Sequence, residues 1–166
     1  SPPPPAVSTW QGARRDIAQR LIRAVVGRLP LREFRSARAE AAQLPMDVYV
    51  HGDFSTANVM NSSDGIWLID WEFAGRGVWG TDEIRLWSTL EQRADRDRLL
   101  TRFVDELPAE RRGDTGTLIH WLALRQLAEN LTPPRRLQKP ENVAQGHEVV
   151  EEARSWRAKL SKRAIN

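Results

Sequence analysis

Residues 48–72 read VYVHGDFSTANVMNSSDGIWLIDWE, and this stretch decides the fold. It opens on an apolar, β-prone run at residues 48–50, which leads into the triplet His-Gly-Asp at residues 51–53. Further along, two short apolar runs flank the turn-forming residues 61–65, Asn-Ser-Ser-Asp-Gly. Short apolar runs bounded by Gly, Asn, Asp and Ser are typical of strands and hairpins. The sequence therefore predicts one strand, a polar loop and then a β-hairpin.

The register of this hairpin predicts where its polar side chains lie. If the turn is centred near Asp64, Asn58 lies opposite Ile69 or Asp70, because positions 58 and 70 are equidistant from position 64. Asn58 and Asp70 then meet at the open end of the hairpin, beside the loop that contains Asp53. Oxygen atoms that converge in this way suit a hard cation such as Mg²⁺. The open end of the hairpin is thus a predicted metal site.

The composition is that of a soluble globular chain. With 166 residues, of which 40% are apolar, it is long enough for one domain or for one lobe of a larger protein. The absence of cysteine excludes disulfides, thiolate metal sites and cysteine nucleophiles, and fits a reducing, cytoplasmic setting. No apolar run approaches the ~20 residues that span a membrane. The net charge of +3 comes from arginines spread over helix faces, so no nucleic-acid partner is expected.

The rest of the chain predicts helices. Residues 1–8, which contain four consecutive prolines, predict an extended linker. Apolar periodicity predicts helices near residues 9–28, 31–44, 95–107, 114–131 and 141–160. A further helix is predicted to begin with Asp82 as its N-cap. Three glycines in residues 74–80 predict an irregular loop. The expected fold class is α+β and mostly α-helical, with a small β-hairpin.

The spacing of the polar residues resembles a known active site. His51-x-Asp53-x₄-Asn58, followed by Asp70-Trp71, is similar to the catalytic loop and metal-binding segment of the aminoglycoside phosphotransferase and choline kinase-like superfamily, which is related to the protein kinases. The spacing from Asp53 to Asn58 equals that between the catalytic Asp and the Asn of the kinase loop. Asp70 corresponds to the metal-binding Asp of these kinases. The resemblance covers roughly residues 48–87.

This resemblance implies the C-terminal lobe of a protein-kinase-like fold and a phosphoryl transfer. Its cofactors would be Mg²⁺ and ATP or GTP, and its product would be a small molecule phosphorylated on a hydroxyl group by the γ-phosphate. Asp53 would hold the acceptor hydroxyl and take its proton, whereas Asn58 and Asp70 would bind Mg²⁺. His51 would brace the loop without transferring protons.

The same resemblance implies roles for two further acidic residues, Asp82 and Glu72. The segment from Gly77 to Asp82 is similar to one that follows the metal-binding Asp in small-molecule kinases. Asp82 is therefore expected to bind backbone amides of the catalytic loop while it starts its helix. Glu72 is a candidate second contact to the metal or to the acceptor.

The chain departs from the family pattern at two points. Family loops commonly have His-Pro-Gly or a similar trio before the Asn, where this chain has Ser-Thr-Ala at residues 55–57, and a positive φ at Ala57 would be strained. The family's nucleotide-binding lobe also contains a lysine on the phosphates, whereas the three lysines here, Lys139, Lys159 and Lys162, all follow the motif. Residues 9–166 are accordingly expected to be a kinase-like C-lobe without its N-terminal nucleotide lobe, and to be inactive in isolation.

Other interpretations remain open from the sequence. The chain is alternatively a catalytically inactive pseudokinase or binding module, or a helical domain that binds a partner protein. The tryptophans form either an aromatic cage for a cationic acceptor or, by the stronger reading, part of the core; they are Trp67, Trp71, Trp79 and Trp87. The acidic residues of the last helix contact a cationic acceptor or, again by the stronger reading, form a solvated face; they are Glu148, Glu151 and Glu152. Zinc binding by histidines is the weakest interpretation, because no histidine pair has metal-site spacing.

Overall fold

A computed structural model describes residues 29–132 and 138–163. The helices in these residues are α1 (Leu31–Ala41), α2 (Thr81–Thr89), α3 (Arg93–Asp105), α4 (Arg112–Leu131) and α5 (Pro140–Arg163). The strands are β1 (Val48–Val50), β2 (Val59–Ser62), β3 (Gly65–Leu68) and β4 (Gly75–Gly77). The predicted α+β, mostly helical fold class is confirmed. Within the described ranges, no helix combines the length and apolar character needed to cross a membrane.

The predicted hairpin is present and its register is confirmed. β2 and β3 pair antiparallel, with Val59 opposite Leu68 and Ser62 opposite Gly65. One step beyond the paired strands, the carbonyl of Asn58 accepts a hydrogen bond of 3.0 Å from the N–H of Ile69. Asn58 therefore lies opposite Ile69, which is one of the two partners that the turn position allowed.

The prediction of an irregular loop over residues 74–80 is wrong for residues 75–77. Gly75–Gly77 is a strand, β4, which pairs antiparallel with β1 so that Val48 lies opposite Gly77. A Cβ atom at Gly77 would lie 2.5 Å from Cγ2 of Val50. The glycine is required here by a close approach of two segments and does not interrupt the extended backbone.

The core is built around α4, as its apolar sequence predicted. This helix packs along α5 and also contacts α1 and α2. Its buried hydrophobic residues are Leu118, Ile119, Trp121, Leu122, Ala123, Leu124, Leu127, Ala128 and Leu131. Trp87 of α2 is fully buried in the same core. The predicted helices correspond to α1, α2, α3, α4 and α5, although α1 ends three residues before the predicted end at residue 44.

Asp82 does not cap α2. The N-cap residue is Gly80, with φ of +85°, and no side chain caps the helix. The carboxylate of Asp82 lies in the first turn and binds the loop after β1 instead. The Pro-rich linker at residues 1–8 and the helix predicted at residues 9–28 lie outside the described residues.

Candidate active site

The loop after β1 begins with a glycine that no other residue can replace without rearrangement. Gly52 has φ of +83°, in the left-handed region that favours glycine. A Cβ atom at this position would lie only 2.4 Å from the carbonyl oxygen of Phe73. The chain therefore turns sharply between His51 and Asp53, with its backbone packed against the short 3₁₀ turn Trp71–Phe73.

Asp82 fastens the same turn to α2. Its Oδ2 accepts a hydrogen bond of 2.7 Å from the backbone N–H of His51, and its Oδ1 accepts one of 3.0 Å from the N–H of Gly52. Hydrogen bonds to a carboxylate are stronger than those between neutral groups. Two adjacent amides of the loop are thus held by one side chain of the helix.

His51 links the loop to the end of the hairpin. Its side chain is buried, and its Nε2 lies 2.9 Å from the carbonyl oxygen of Ile69. A carbonyl only accepts hydrogen bonds, so Nε2 carries the proton and donates it. The backbone N–H of Asp53 donates to Nδ1 of the same ring over 3.4 Å, which fits the neutral tautomer. The ring of Trp71 packs against the imidazole, with the ring centres 4.6 Å apart.

Asn58 is bound directly to Asp53. Its Nδ2 donates to the backbone oxygen of Asp53 over 2.8 Å and to Oδ2 of the same residue over 3.3 Å. These two contacts identify the nitrogen of the amide, so Oδ1 faces away from Asp53. Ala57 belongs to the 3₁₀ turn Thr56–Asn58 and has no positive φ, so the strain that its substitution for glycine suggested does not arise.

Asp70 has an unusual backbone conformation. Its φ and ψ are +65° and +60°, and among the described residues it is the only non-glycine with a positive φ. Such conformations are uncommon and cluster at functional sites. The residue before it, Ile69, is bound on one side by the carbonyl of Asn58 and on the other by the ring of His51. Asp70 therefore leaves the hairpin beside both of these residues, with an exposed side chain.

Glu72 is not joined to this network. It lies in the turn Trp71–Phe73 and its side chain is exposed. Among the described residues, no hydrogen bond or ion pair connects it to Asp53, Asn58 or Asp70.

Arg85 contacts Asp53 directly, although it was not predicted from the sequence as a site residue. From α2, its Nε and Nη2 donate to Oδ1 of Asp53 over 3.3 and 3.1 Å. Burial opposes the charge of Arg85, but Glu129 and then Asp53 raise the pKa of the guanidinium above its ordinary value. A signal was present in the sequence: Arg85 lies three residues after Asp82, so both side chains occupy one face of the helix.

Comparison with known proteins identifies the family. Residues 3–127 match the sequence model described as "Phosphotransferase enzyme family", which covers more than half of the chain. The chain belongs to the phosphotransferase enzyme family. No curated protein and no solved structure matches it. Since the match includes residues 48–87, the resemblance to the aminoglycoside phosphotransferase and kinase-like superfamily is confirmed.

Members of the phosphotransferase family generally use ATP and Mg²⁺, and the oxygen atoms of this site fit such a cation. Within the described part of the chain, nothing donates a hydrogen bond to Oδ1 of Asn58 or to the carboxylate of Asp70. An amide oxygen and a carboxylate are ligands that Mg²⁺ accepts, with water and phosphate oxygens completing the coordination. No group of three or more His, Cys, Asp or Glu capable of holding a metal ion occurs among the described residues.

The four tryptophans of this phosphotransferase do not share one environment. Trp87 is buried, and Trp79 stacks on Phe103 with ring centres 5.2 Å apart. Trp67 and Trp71 are about half exposed, at 55% and 53%, so the prediction that they pack in the core is wrong. The four tryptophans therefore form neither an aromatic cage nor one cluster in the core.

The solvated face predicted on the last helix is found for Glu148 and Glu151, which are exposed, but not for Glu152. Glu152 of α5 is buried, and both its oxygens accept hydrogen bonds from the fully buried guanidinium of Arg96, at 2.9 and 3.0 Å. Glu148 pairs with the same arginine, and Glu151 pairs with Arg154. Glu148 and Glu152 thus join α5 to α3 through Arg96, whereas Glu151 forms an ion pair within α5.

Proposed function

We propose that this chain forms the acceptor- and metal-binding lobe of a small-molecule O-phosphotransferase, which transfers the γ-phosphate of ATP or GTP to a hydroxyl group. The single observation that supports this function best is the hydrogen-bonded loop from His51 to Asn58. In that loop, Asp53 is bound through its side chain and its backbone, and the loop itself is bound to α2 by Asp82.

In this function Asp53 receives the acceptor. Its side chain is 29% exposed, so a hydroxyl group can reach it from solvent. The carboxylate would orient the hydroxyl for in-line attack on the γ-phosphorus and accept its proton as the new oxygen–phosphorus bond forms. The bond from the γ-phosphorus to the β-phosphate oxygen breaks, and the nucleoside diphosphate leaves. Phosphoryl transfer passes through a loose transition state, so positioning contributes more than strong basicity.

Asn58 and Asp70 would hold Mg²⁺ together with the nucleotide phosphates. When bound, the cation neutralises the charge that spreads over the phosphate oxygens. Asn58 would bind through Oδ1 while its Nδ2 keeps the contact to Asp53, and Asp70 would bind through its exposed carboxylate. Glu72, in the adjacent turn, would contact the metal or the acceptor through its exposed side chain.

His51 and Asp82 would act through the loop and not on the substrates. The ring of His51 keeps the end of the hairpin beside Asp53, and the carboxylate of Asp82 fixes the backbone just before it. A kinase-like N-terminal lobe would complete the nucleotide site, so activity is tested in the protein encoded by the complete reading frame, called the full-length protein below.

The test compares full-length wild type with Asp53→Asn and Asp70→Asn. Incubation with Mg²⁺, labelled ATP or GTP and a panel of aminoglycosides, amino alcohols and sugars should give a phosphorylated product only in the wild type. Asp53→Asn should keep nucleotide binding, whereas Asp70→Asn should weaken Mg²⁺-dependent nucleotide binding. Wild-type rates in both variants would refute the proposal, and nucleotide binding without turnover in the wild type would indicate a binding module.

A further inference from the structure

We infer that Arg85 is a positioning residue for Asp53, fixing which of its two carboxylate oxygens faces the acceptor hydroxyl. This inference rests on the phosphotransferase function proposed above. Oδ1 of Asp53 receives both donors of Arg85, Nε and Nη2. Among the described residues, Oδ2 receives a single hydrogen bond, of 3.3 Å, from Nδ2 of Asn58. Oδ2 therefore retains the capacity to accept a proton from the substrate.

Arg85 is itself held from the opposite side by α4. Its Nη1 donates to Oε1 of Gln126, and its Nη2 donates to Oε2 of Glu129 over 2.9 Å. Glu129 in turn accepts a hydrogen bond of 2.9 Å from Arg125, one helical turn away. The guanidinium is thus fixed between the catalytic loop and the central helix of the core.

The planar guanidinium suits this place because it offers several donors in fixed directions. Arg85 is only 8% exposed and contacts three different side chains. A lysine would place one compact charge on a flexible stem and could not reproduce all of these contacts. The charges also balance across the cluster, since Asp53 and Glu129 face Arg85 and Arg125. Removal of Arg85 would leave two carboxylates without the cation that they share.

A structural role and a positioning role predict different kinetics. If Arg85 only stabilised the fold, its loss would reduce the amount of folded enzyme and leave the turnover of each folded molecule unchanged. If it orients Asp53, its loss reduces kcat in the folded enzyme and leaves nucleotide binding intact. Misplacement of a reacting group by about 1 Å can reduce a rate roughly 100-fold.

Arg96 provides the matched control. It is likewise a buried arginine with a carboxylate partner, Glu152, but its contacts are to α5 and to backbone oxygens of residues 90 and 91. Arg85→Gln and Arg96→Gln therefore remove comparable buried ion pairs, one at Asp53 and the other elsewhere in the core.

The experiment measures kcat, KM for the Mg²⁺-nucleotide and the thermal midpoint in the full-length protein. Arg85→Gln should lower kcat about 100-fold and change KM less than about twofold. Arg85→Lys should lower kcat about tenfold. Arg96→Gln should lower the thermal midpoint while kcat per folded molecule stays at the wild-type value.

If Arg85→Gln does not fold, Glu129→Gln tests the positioning role instead. This substitution keeps the shape of the side chain at position 129 and removes the charge that holds Nη2 of Arg85. It should lower kcat with KM unchanged. A wild-type kcat in folded Arg85→Gln or in Glu129→Gln would overturn the positioning role of Arg85. If Asp53→Asn is inactive in the same assay, the proposed function itself still stands. A wild type without turnover, or full activity in Asp53→Asn, would overturn the proposed function and this inference with it.

Discussion

Asp82 accepts the backbone N–H groups of both His51 and Gly52, one with each carboxylate oxygen, at 2.7 and 3.0 Å. The side chain thus joins the first turn of α2 to the start of the loop after β1, thirty-one positions earlier in the chain. Because two consecutive amides are bound by one rigid carboxylate, the direction of the following residue, Asp53, is set by the helix.

Replacement of Asp82 by Asn should destabilise the protein. The amide keeps one oxygen but directs an NH₂ group toward a backbone N–H, so one charge-assisted hydrogen bond is lost and the other is weakened. We expect the free energy of unfolding to fall by about 2 to 4 kcal/mol, measured by urea denaturation. The control is Glu83→Gln, an exposed acidic residue in the same helical turn, which should change it by less than about 0.5 kcal/mol. Equal effects of the two substitutions would contradict this role.

Gly52→Ala should disturb the same turn for a steric reason. The new methyl group would meet the carbonyl oxygen of Phe73, and alanine would be forced to a φ of +83°. A loss of at least about 2 kcal/mol in unfolding free energy is expected, together with reduced phosphotransfer by the full-length protein. Gly113→Ala is the matched control, since a Cβ atom there meets nothing within 4 Å and alanine favours the helix. A Gly52→Ala variant as stable as Gly113→Ala would show that the loop relaxes freely.

Asn58→Asp should separate metal binding from loop support. The carboxylate keeps an oxygen for Mg²⁺ but loses the Nδ2 donor that binds Asp53, and it places a negative charge beside that residue. We expect kcat to fall about 100-fold, because the acceptor-binding group is displaced, while the Mg²⁺ concentration at half-maximal activity does not increase. Asn61→Asp on the exposed hairpin is the control and should leave both values unchanged. A higher Mg²⁺ requirement with normal kcat would contradict the dual role.

Glu33 should make the fold sensitive to acid. The hydrogen bond from Arg154 is the main cause that lowers its pKa from 4.5 to about 2, burial opposes the shift, and His120 adds to the lowering. Because the pKa in the folded state lies below the ordinary value, this stabilisation is fully present above pH 4.5 and is lost as the pH falls from 4.5 toward 2.

The measurement is the unfolding free energy of wild type and Glu33→Gln as a function of pH. The difference between the two should be constant near neutral pH and should shrink below pH 4.5. Glu91→Gln, an exposed carboxylate, serves as the control, and its difference from wild type should stay small throughout. A difference between wild type and Glu33→Gln that does not change between pH 6 and pH 2.5 would refute the assignment.

The sequence by itself determined the local features of this protein. Strand β1, the hairpin and the helices α1, α3, α4 and α5 follow from apolar periodicity and turn residues, which act over a few neighbouring positions. The same holds for Asn58 opposite Ile69, because a turn fixes the register on both its sides. The order of the motif residues was enough to predict the family.

The tertiary structure alone decided which distant side chains support the site. Asp82 was expected both to start its helix as the cap and to bind amides of the loop, yet no side chain caps α2, and only the structure shows that the bound amides are those of His51 and Gly52. Residues 75–77 looked like a loop, yet they are extended because they pair with the distant strand β1, with Val48 opposite Gly77. Arg85 reaches Asp53 and Glu129 across 32 and 44 positions of sequence. No local pattern encodes such pairs, because a buried charge acquires its partners only when the packing of α2 between the loop and α4 excludes water from around it.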